Sequence, residues 1–214
     1  MRPFFSIVLF WLAMATPMSA HEAVKTYVAV PPGFVSYVVQ SGDTWEHITP
    51  TERAKKLAMR INRMNVNPRT GAEVLLPVTE VAWEYVPVPY RVPSSGRHLV
   101  IYIDRQFFGA YENGRLIHWG PVSTGRQGKS TPLGHFTAKW KSRWHRSSLY
   151  NNARMYFAVQ FLGNYFTHEY TELPGYPASS GCVRMFWDDA EWKFGWLQSG
   201  DRISVLADTD FTRW

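Results

Sequence analysis

The residues best suited to covalent chemistry lie between His168 and Met185. This stretch holds Cys182, the only cysteine of the 214-residue chain, between Gly181 and Val183-Arg184. A thiol attacks as its thiolate, so it needs a base or cation nearby to bring its pKa down from about 8.5. His168 lies fourteen residues upstream, with Pro174, Gly175 and Pro177 between to turn the chain back, and is the candidate base. Gly181 removes a side chain where a substrate carbonyl would approach. The backbone N–H groups around Ser180 to Cys182 could receive an oxyanion. A lone cysteine is ordinarily a small buried apolar residue and a lone histidine a satisfied polar one. An exported chain shifts that balance, because an unpaired thiol in an oxidising compartment is a liability unless it is used.

Export is read from the N-terminus. Arg2 precedes a run from Phe4 to Ala15 in which Ser6 is the one polar residue, and Ser19-Ala20 offers a cleavage point before His21. That is the pattern of a secretory signal peptide over residues 1–20, and it places the protein in the periplasm or cell envelope. The run is shorter than the about 20 residues a membrane span needs. Membrane contact is therefore expected only through this segment, if it stays uncleaved. The formal net charge is +6, a surplus that suits an acidic envelope polymer. No basic cluster accompanies a nucleic-acid recognition motif, so nucleic acid is not an expected partner.

Other chemistries fit poorly. His168-Glu169 begins like a zinc-peptidase helix, but Glu172 stands where the second histidine belongs and Pro174-Gly175 forbid the helix. No metal or organic cofactor is implied. A serine nucleophile has no Gly-x-Ser-x-Gly turn to sit on, and no Gly-rich phosphate loop is present. His118, His135 and His145 could each approach Cys182 in space, with His135 placed in a strand.

Ser179-Ser180-Gly181-Cys182-Val183-Arg184-Met185, behind His168 and Leu173-Pro174-Gly175-Tyr176-Pro177-Ala178, resembles the signature of the L,D-transpeptidase (YkuD) catalytic domain. Upstream, a strand and hairpin followed by Pro-Val-Ser-Thr-Gly and Thr-Pro-Leu-Gly-His-Phe extend the resemblance to about residues 97–207. Ser180 stands where that family usually has histidine, and Glu169 where a small residue is usual. The resemblance implies a Cys182 nucleophile and a His168 base whose ring is oriented by the Glu169 backbone carbonyl, with the Glu169 carboxylate as a possible aid. Ser179, Ser180 and Gly181 would form the presenting loop and oxyanion donors. Arg184 would either brace that loop or meet a substrate carboxylate. The implied reaction is transfer on peptidoglycan stem peptides. A thioester forms from a tetrapeptide donor and passes to an amine acceptor, making a cross-link or anchoring a protein to the wall. Hydrolysis of the same bonds, as an L,D-carboxypeptidase or amidase, and a catalytically dead wall-binding domain are the alternatives.

Around this site the sequence predicts a two-domain α+β protein. Residues 36–78 read as a small β-α-α-β unit. Thr49-Pro50-Thr51-Glu52 forms a capping box with proline at the first helical position, and Ala54, Leu57, Ala58, Ile61 and Met64 recur at helical spacing. Tyr-Val-Val-Gln-Ser-Gly-Asp-Thr and Ala-Glu-Val-Leu-Leu-Pro-Val within it resemble a LysM domain, which implies affinity for glycan strands. The unit is expected to fold by itself. Residues 79–96 read as a Pro-rich connector. Residues 97–207 read as a mainly β sandwich or barrel with one or two helices. Asn113-Gly114 is a type I′ hairpin turn, Lys141 to Asn152 a loop or lid, Tyr156 to Thr167 β structure ending at His168, and Asp188 to Gln198 a helix.

Overall fold

The computed structural model describes residues 30–149 and 151–207. The expected signal peptide lies outside these residues. Among the described residues no helix is long and apolar enough to cross a membrane.

The N-terminal module has the predicted β-α-α-β order: β1 (Phe34–Val38), α1 (Trp45–Ile48), α2 (Glu52–Ile61) and β2 (Glu73–Pro77), with β1 and β2 antiparallel. The helix cap differs from the sequence expectation. Thr51, not Thr49, caps α2, its hydroxyl accepting from Ala54 N at 3.1 Å, while Thr49 Oγ1 turns back to Trp45 O at 2.5 Å. Two hydroxyls compete for one helix start, and the one two residues nearer Ala54 reaches the unpaired amide. Pro50 therefore sits before the helix.

After a 3₁₀ segment at Glu80–Glu84 the chain enters the second body: β3 (Arg97–Tyr102), β4 (Phe107–Glu112), β5 (Arg115–Ser123), β6 (Gly134–Thr137), β7 (Lys141–Arg146), β8 (Arg154–Leu162), β9 (Tyr165–Glu169), β10 (Val183–Met185), α3 (Trp187–Trp196) and β11 (Arg202–Leu206). Nine strands form one sheet in the order β6-β11-β3-β4-β5-β10-β9-β8-β7. Leu99 and Ile101 of β3, Ile203 and Val205 of β11, and Phe157, Val159 and Phe161 of β8 share one buried cluster. The sheet is therefore curled over on itself, with α3 against it. Asn113 (φ 49°) and Gly114 (φ 77°) make the predicted hairpin turn, both in the left-handed region that type I′ demands.

One expectation is revised. Lys141–Arg146 is strand β7, paired with β8, and only the residues after it form a loop. Its exposed Arg143 and Trp144 read as loop in isolation, yet an edge strand needs only one covered face. The N-terminal module has a small core of its own, Val39, Trp45, Ala58, Val74 and Leu76, and a second apolar side that is shared. Phe34, Ile61, Leu75 and Ala82 pack in one buried cluster with Val88, Val92, Val100, Tyr102, Phe107, Tyr111 and Leu206. Arg60 of α2 adds a buried ion pair, Nη1 to Asp189 Oδ1 at 3.0 Å, and Asp189 also meets His118 Nε2 at 2.8 Å. Connector residues Val88 and Val92 are buried at this junction, so the connector is packed between the two bodies.

Candidate active site

His168 and Cys182 are brought together by the parallel pairing of β9 and β10, in which Val183 faces Thr167 and Arg184 faces His168. Continuing that register one step back sets Cys182 opposite Phe166. Side chains alternate along a strand, so Phe166, His168 and Cys182 project from one face of the sheet. Both site residues are buried, His168 at 5 % and Cys182 at 7 % exposure.

The imidazole is fixed through Nδ1, 2.6 Å from the carbonyl oxygen of Glu169. A carbonyl only accepts, so Nδ1 carries the proton and Nε2 keeps its lone pair. Burial lowers the His168 pKa to about 4 against the opposing pull of the Glu169 carbonyl, and the positive charges of Lys193 and Arg184 push the same way as burial. The Cys182 thiol is pushed up, chiefly by burial, with a backbone hydrogen bond from Phe166 and the charge of Arg184 acting against it. At neutral pH the pair is thus imidazole and thiol. The thiol donates to Asn164 O at 3.7 Å.

The loop presenting Cys182 is held from several sides. Ser179 Oγ donates to Cys182 O at 2.5 Å and accepts from Gly181 N at 3.0 Å. Ser179 N donates to Thr124 O at 3.0 Å, and Arg126 N returns to Ser179 O at 3.0 Å. Thr131 Oγ1 donates to Gly181 O at 2.7 Å and accepts from Gly125 N at 2.9 Å. Gly181 adopts φ 118°, and a Cβ there would lie 2.6 Å from the Tyr165 ring. The position needs glycine on both counts. The Gly181 amide, expected as an oxyanion donor, is engaged by Ser179 in this conformation.

Ser180 Oγ accepts from Arg126 Nη1 at 2.8 Å, so its hydroxyl belongs to the loop's own bonding. Arg184 lays its guanidinium over the Tyr170 ring at 3.7 Å, while Tyr170 N donates to Met185 O at 3.1 Å. This contact braces the exit of β9. Glu169 is buried, and its carboxyl pKa is raised by that burial.

A cavity of about 300 Å³ opens beside Cys182, bounded by Trp140, His145, Met155, Gln160 and Phe166 and by the loop residues Ser147 to Leu149. His145 stacks on Phe166 at 5.1 Å. Of the three other candidate histidines it alone reaches the cavity. His135 Nδ1 is bound to Ser204 Oγ at 2.8 Å and His118 to Asp189. Among the described residues no group of three or more His, Cys, Asp or Glu could hold a metal ion.

Sequence reasoning missed several supports. Gln106, fully buried at φ 56°, accepts from Thr124 N at 2.8 Å and donates to Thr124 Oγ1 at 2.6 Å, bracing the strand that holds Ser179. Lys193 of α3 is buried and donates to Phe157 O at 2.8 Å and Thr167 O at 3.3 Å, one residue before the imidazole. Phe157 at φ 53° on an interior strand turns its carbonyl out of the ladder to meet it. A lysine among the apolar residues of α3 was the available signal.

A curled sheet presents a thiol on a glycine turn and, on the same face, a carbonyl-anchored imidazole, an arrangement with the parts that thiol-dependent acyl transfer requires. Residues 96–205 match the L,D-transpeptidase catalytic domain family, YkuD. That is more than half of the chain, which belongs to this family. No curated protein matches it. Among solved structures it is similar to an L,D-transpeptidase from Xylanimonas cellulosilytica, at 25% identity over 70% of this chain and 78% of that one, with TM-score 0.55. An L,D-transpeptidase from Stackebrandtia nassauensis shares the fold at 22% identity over 59% of this chain, with TM-score 0.51. The chain spans 62% of the length of that second structure.

Proposed function

We propose that the protein is an exported L,D-transpeptidase that acts on peptidoglycan stem peptides through a Cys182 thioester. The observation that carries this reading is the shared face of His168 and Cys182, with the imidazole Nδ1 tied to Glu169 O and Nε2 left as the base.

In the donor half-reaction a rotation about the Cys182 Cα–Cβ bond takes the sulfur from Asn164 O toward His168. The sulfur attacks the carbonyl carbon between an L-centre and a terminal D-residue, and its proton passes to Nε2. Backbone amides of the Ser180–Cys182 turn stabilise the oxyanion, the Gly181 amide exchanging Ser179 Oγ for it. Collapse breaks the C–N bond, the D-amino acid leaves with the proton held by His168, and the acyl group stays on sulfur. An acceptor amine then attacks the thioester, gives its proton to Nε2, and the sulfur leaves and is reprotonated. The depressed imidazole and raised thiol keep both groups neutral until substrate arrives, which limits oxidation of the only thiol. Arg184 supports the loop through Tyr170.

The N-terminal module is read as LysM-like, with glycan strands as its ligand, and residues 1–20 as the export signal that delivers the protein to the periplasm. Digesting labelled sacculi after incubation with the pure protein tests the whole reading. New cross-linked or protein-linked stem peptides support transfer. Tripeptides alone indicate hydrolysis, and unchanged stems indicate a binding domain without catalysis.

A further inference from the structure

The chain that runs from His168 to Cys182 is gripped at its midpoint by the N-terminal module. Asn65 N donates to Leu173 O at 3.1 Å, Leu173 N donates to Asn65 Oδ1 at 2.8 Å, and Asn65 Nδ2 donates to Thr171 O at 2.9 Å. Met64 and Pro174 form an isolated antiparallel bridge beside them. Gly175, at φ 89°, passes so near that a Cβ would lie 2.8 Å from Met64 Cε and 3.1 Å from Asn62 O.

The gripping segment is itself fixed. Asn62 Nδ2 donates to Ala58 O and Leu75 O, both at 2.8 Å, and its Oδ1 accepts from Leu75 N at 2.9 Å, which locks the end of α2 to β2. Trp45 Nε1 donates to Val66 O at 2.8 Å and Trp45 N to Asn67 Oδ1 at 3.3 Å, which locks α1 to the residues beyond Asn65. Leu173 is fully buried, so its amide depends on Asn65 for a partner of good geometry. On the far side of the loop Ser123 Oγ donates to Tyr176 O at 2.7 Å and accepts from Ala178 N at 3.1 Å. The segment therefore has one anchor in the sheet and a second in the module.

We infer that Asn65 is a positioning residue for the reaction: its bonds to Thr171 and Leu173 set the path from His168 to Cys182, and the N-terminal module is a working part of the active site. Displacements of about 1 Å in a reacting group can cost about a hundredfold in rate, so a loop held at two points matters to chemistry as well as to folding. The inference rests on the thioester reading for its first readout and on loop geometry alone for its second.

The test compares full-length wild type, Asn65→Ala, Asn65→Asp and Thr51→Ala. Thr51→Ala removes the α2 cap within the same module and leaves the grip intact. Carbapenem acylation of Cys182 is followed by intact mass over a range of concentrations. Asn65→Ala should lower the maximal acylation rate about tenfold with the half-saturation concentration within about twofold. Asn65→Asp keeps the acceptor for Leu173 N, loses the donor to Thr171 O, and should fall between. Thr51→Ala should acylate within about twofold of wild type. An unchanged rate in Asn65→Ala, or equal slowing in Thr51→Ala, would overturn the inference. If wild type resists carbapenem altogether, the thioester reading fails, and iodoacetamide alkylation of Cys182 across pH takes over as readout. There Asn65→Ala should change the profile and Thr51→Ala should not; superimposable profiles would overturn the inference independently.

Discussion

Arg184 stands directly opposite His168 in the parallel ladder of β9 and β10, and that one register brings Cys182, two residues earlier, onto the face of the imidazole. A slip by a single residue would turn the thiol to the other face of the sheet. The glycine turn, Ser179 and the grip on Leu173 all serve to keep this register.

Gly181→Ala is expected to cost more catalysis than stability. The φ of 118° and the 2.6 Å approach to Tyr165 force the turn to move. Acylation of Cys182 should fall at least about a hundredfold while the protein still melts cooperatively. Stopped-flow or intact-mass kinetics alongside calorimetry checks this.

Gly125 is the stability counterpart. A Cβ there would lie 2.1 Å from Lys129 O and 2.7 Å from Thr131 N, both backbone atoms that cannot swing aside. Gly125→Ala should lower stability by at least about 2 kcal/mol in urea titration.

The ion pair between the two bodies gives a third prediction. Asp189 is 1 % exposed at its side chain, against 24 % for Arg60. Arg60→Ala leaves the buried carboxylate with only the His118 ring of these two partners beside it and should cost about 3 kcal/mol, read as a fall in melting temperature. Asp189→Asn, which keeps an acceptor for Arg60 and removes the buried charge, should cost less.

The pH dependence separates two ways of making a thiolate. His168 must be neutral to accept the proton, and its pKa is lowered to about 4. Acylation should therefore vary little between about pH 5.5 and 8, and a tenfold rise per pH unit would instead mark attack by thiolate formed without the base. Stability carries the same signature. His168 binds its proton more readily in the unfolded chain, at 6.5, than in the folded one, so its contribution is full above pH 6.5 and is lost as pH falls toward 4. By pH 5 this loss should reach about 2 kcal/mol, measurable by denaturant titration at pH 7.5 and 5.0. His98, also lowered to about 4 by burial, adds a loss of the same sign.

What was legible in the sequence was local. The Asn113-Gly114 turn, the α2 stripe and the acidic start of α3 announce themselves through backbone preference and periodicity within a few residues. The edge strand β7 did not, because its pairing to β8 gives Lys141–Arg146 their conformation and no apolar alternation records it. Cys182 and His168 stood out by type and motif. Their supports did not, since Asn65 is over a hundred positions from Leu173 and Arg60 is 129 from Asp189. Gln106 and Lys193 reach the site only once the sheet has curled. The junction between the two bodies was hidden for the same reason: Phe34 and Val88 look like separate apolar residues until they meet Tyr102 and Phe107 in one core.

Ser180 offers a sharp comparison with the wider family. Its hydroxyl is one acceptor for Arg126, whereas Ser179 makes the bonds that hold Cys182 and Gly181. Ser180→His should therefore change acylation by no more than about tenfold, and a thousandfold gain would show that the serine had disabled the site.

The most direct measurement is the mass of the intact protein and of its Cys182 peptide after incubation with a tetrapeptide donor or a carbapenem, for wild type, Cys182→Ala and His168→Ala. A thioester-linked acyl group on Cys182 in wild type is predicted, formed at least about a hundredfold more slowly in His168→Ala and absent in Cys182→Ala. Undiminished product from Cys182→Ala, or a wild type that never carries an acyl group, would contradict the account.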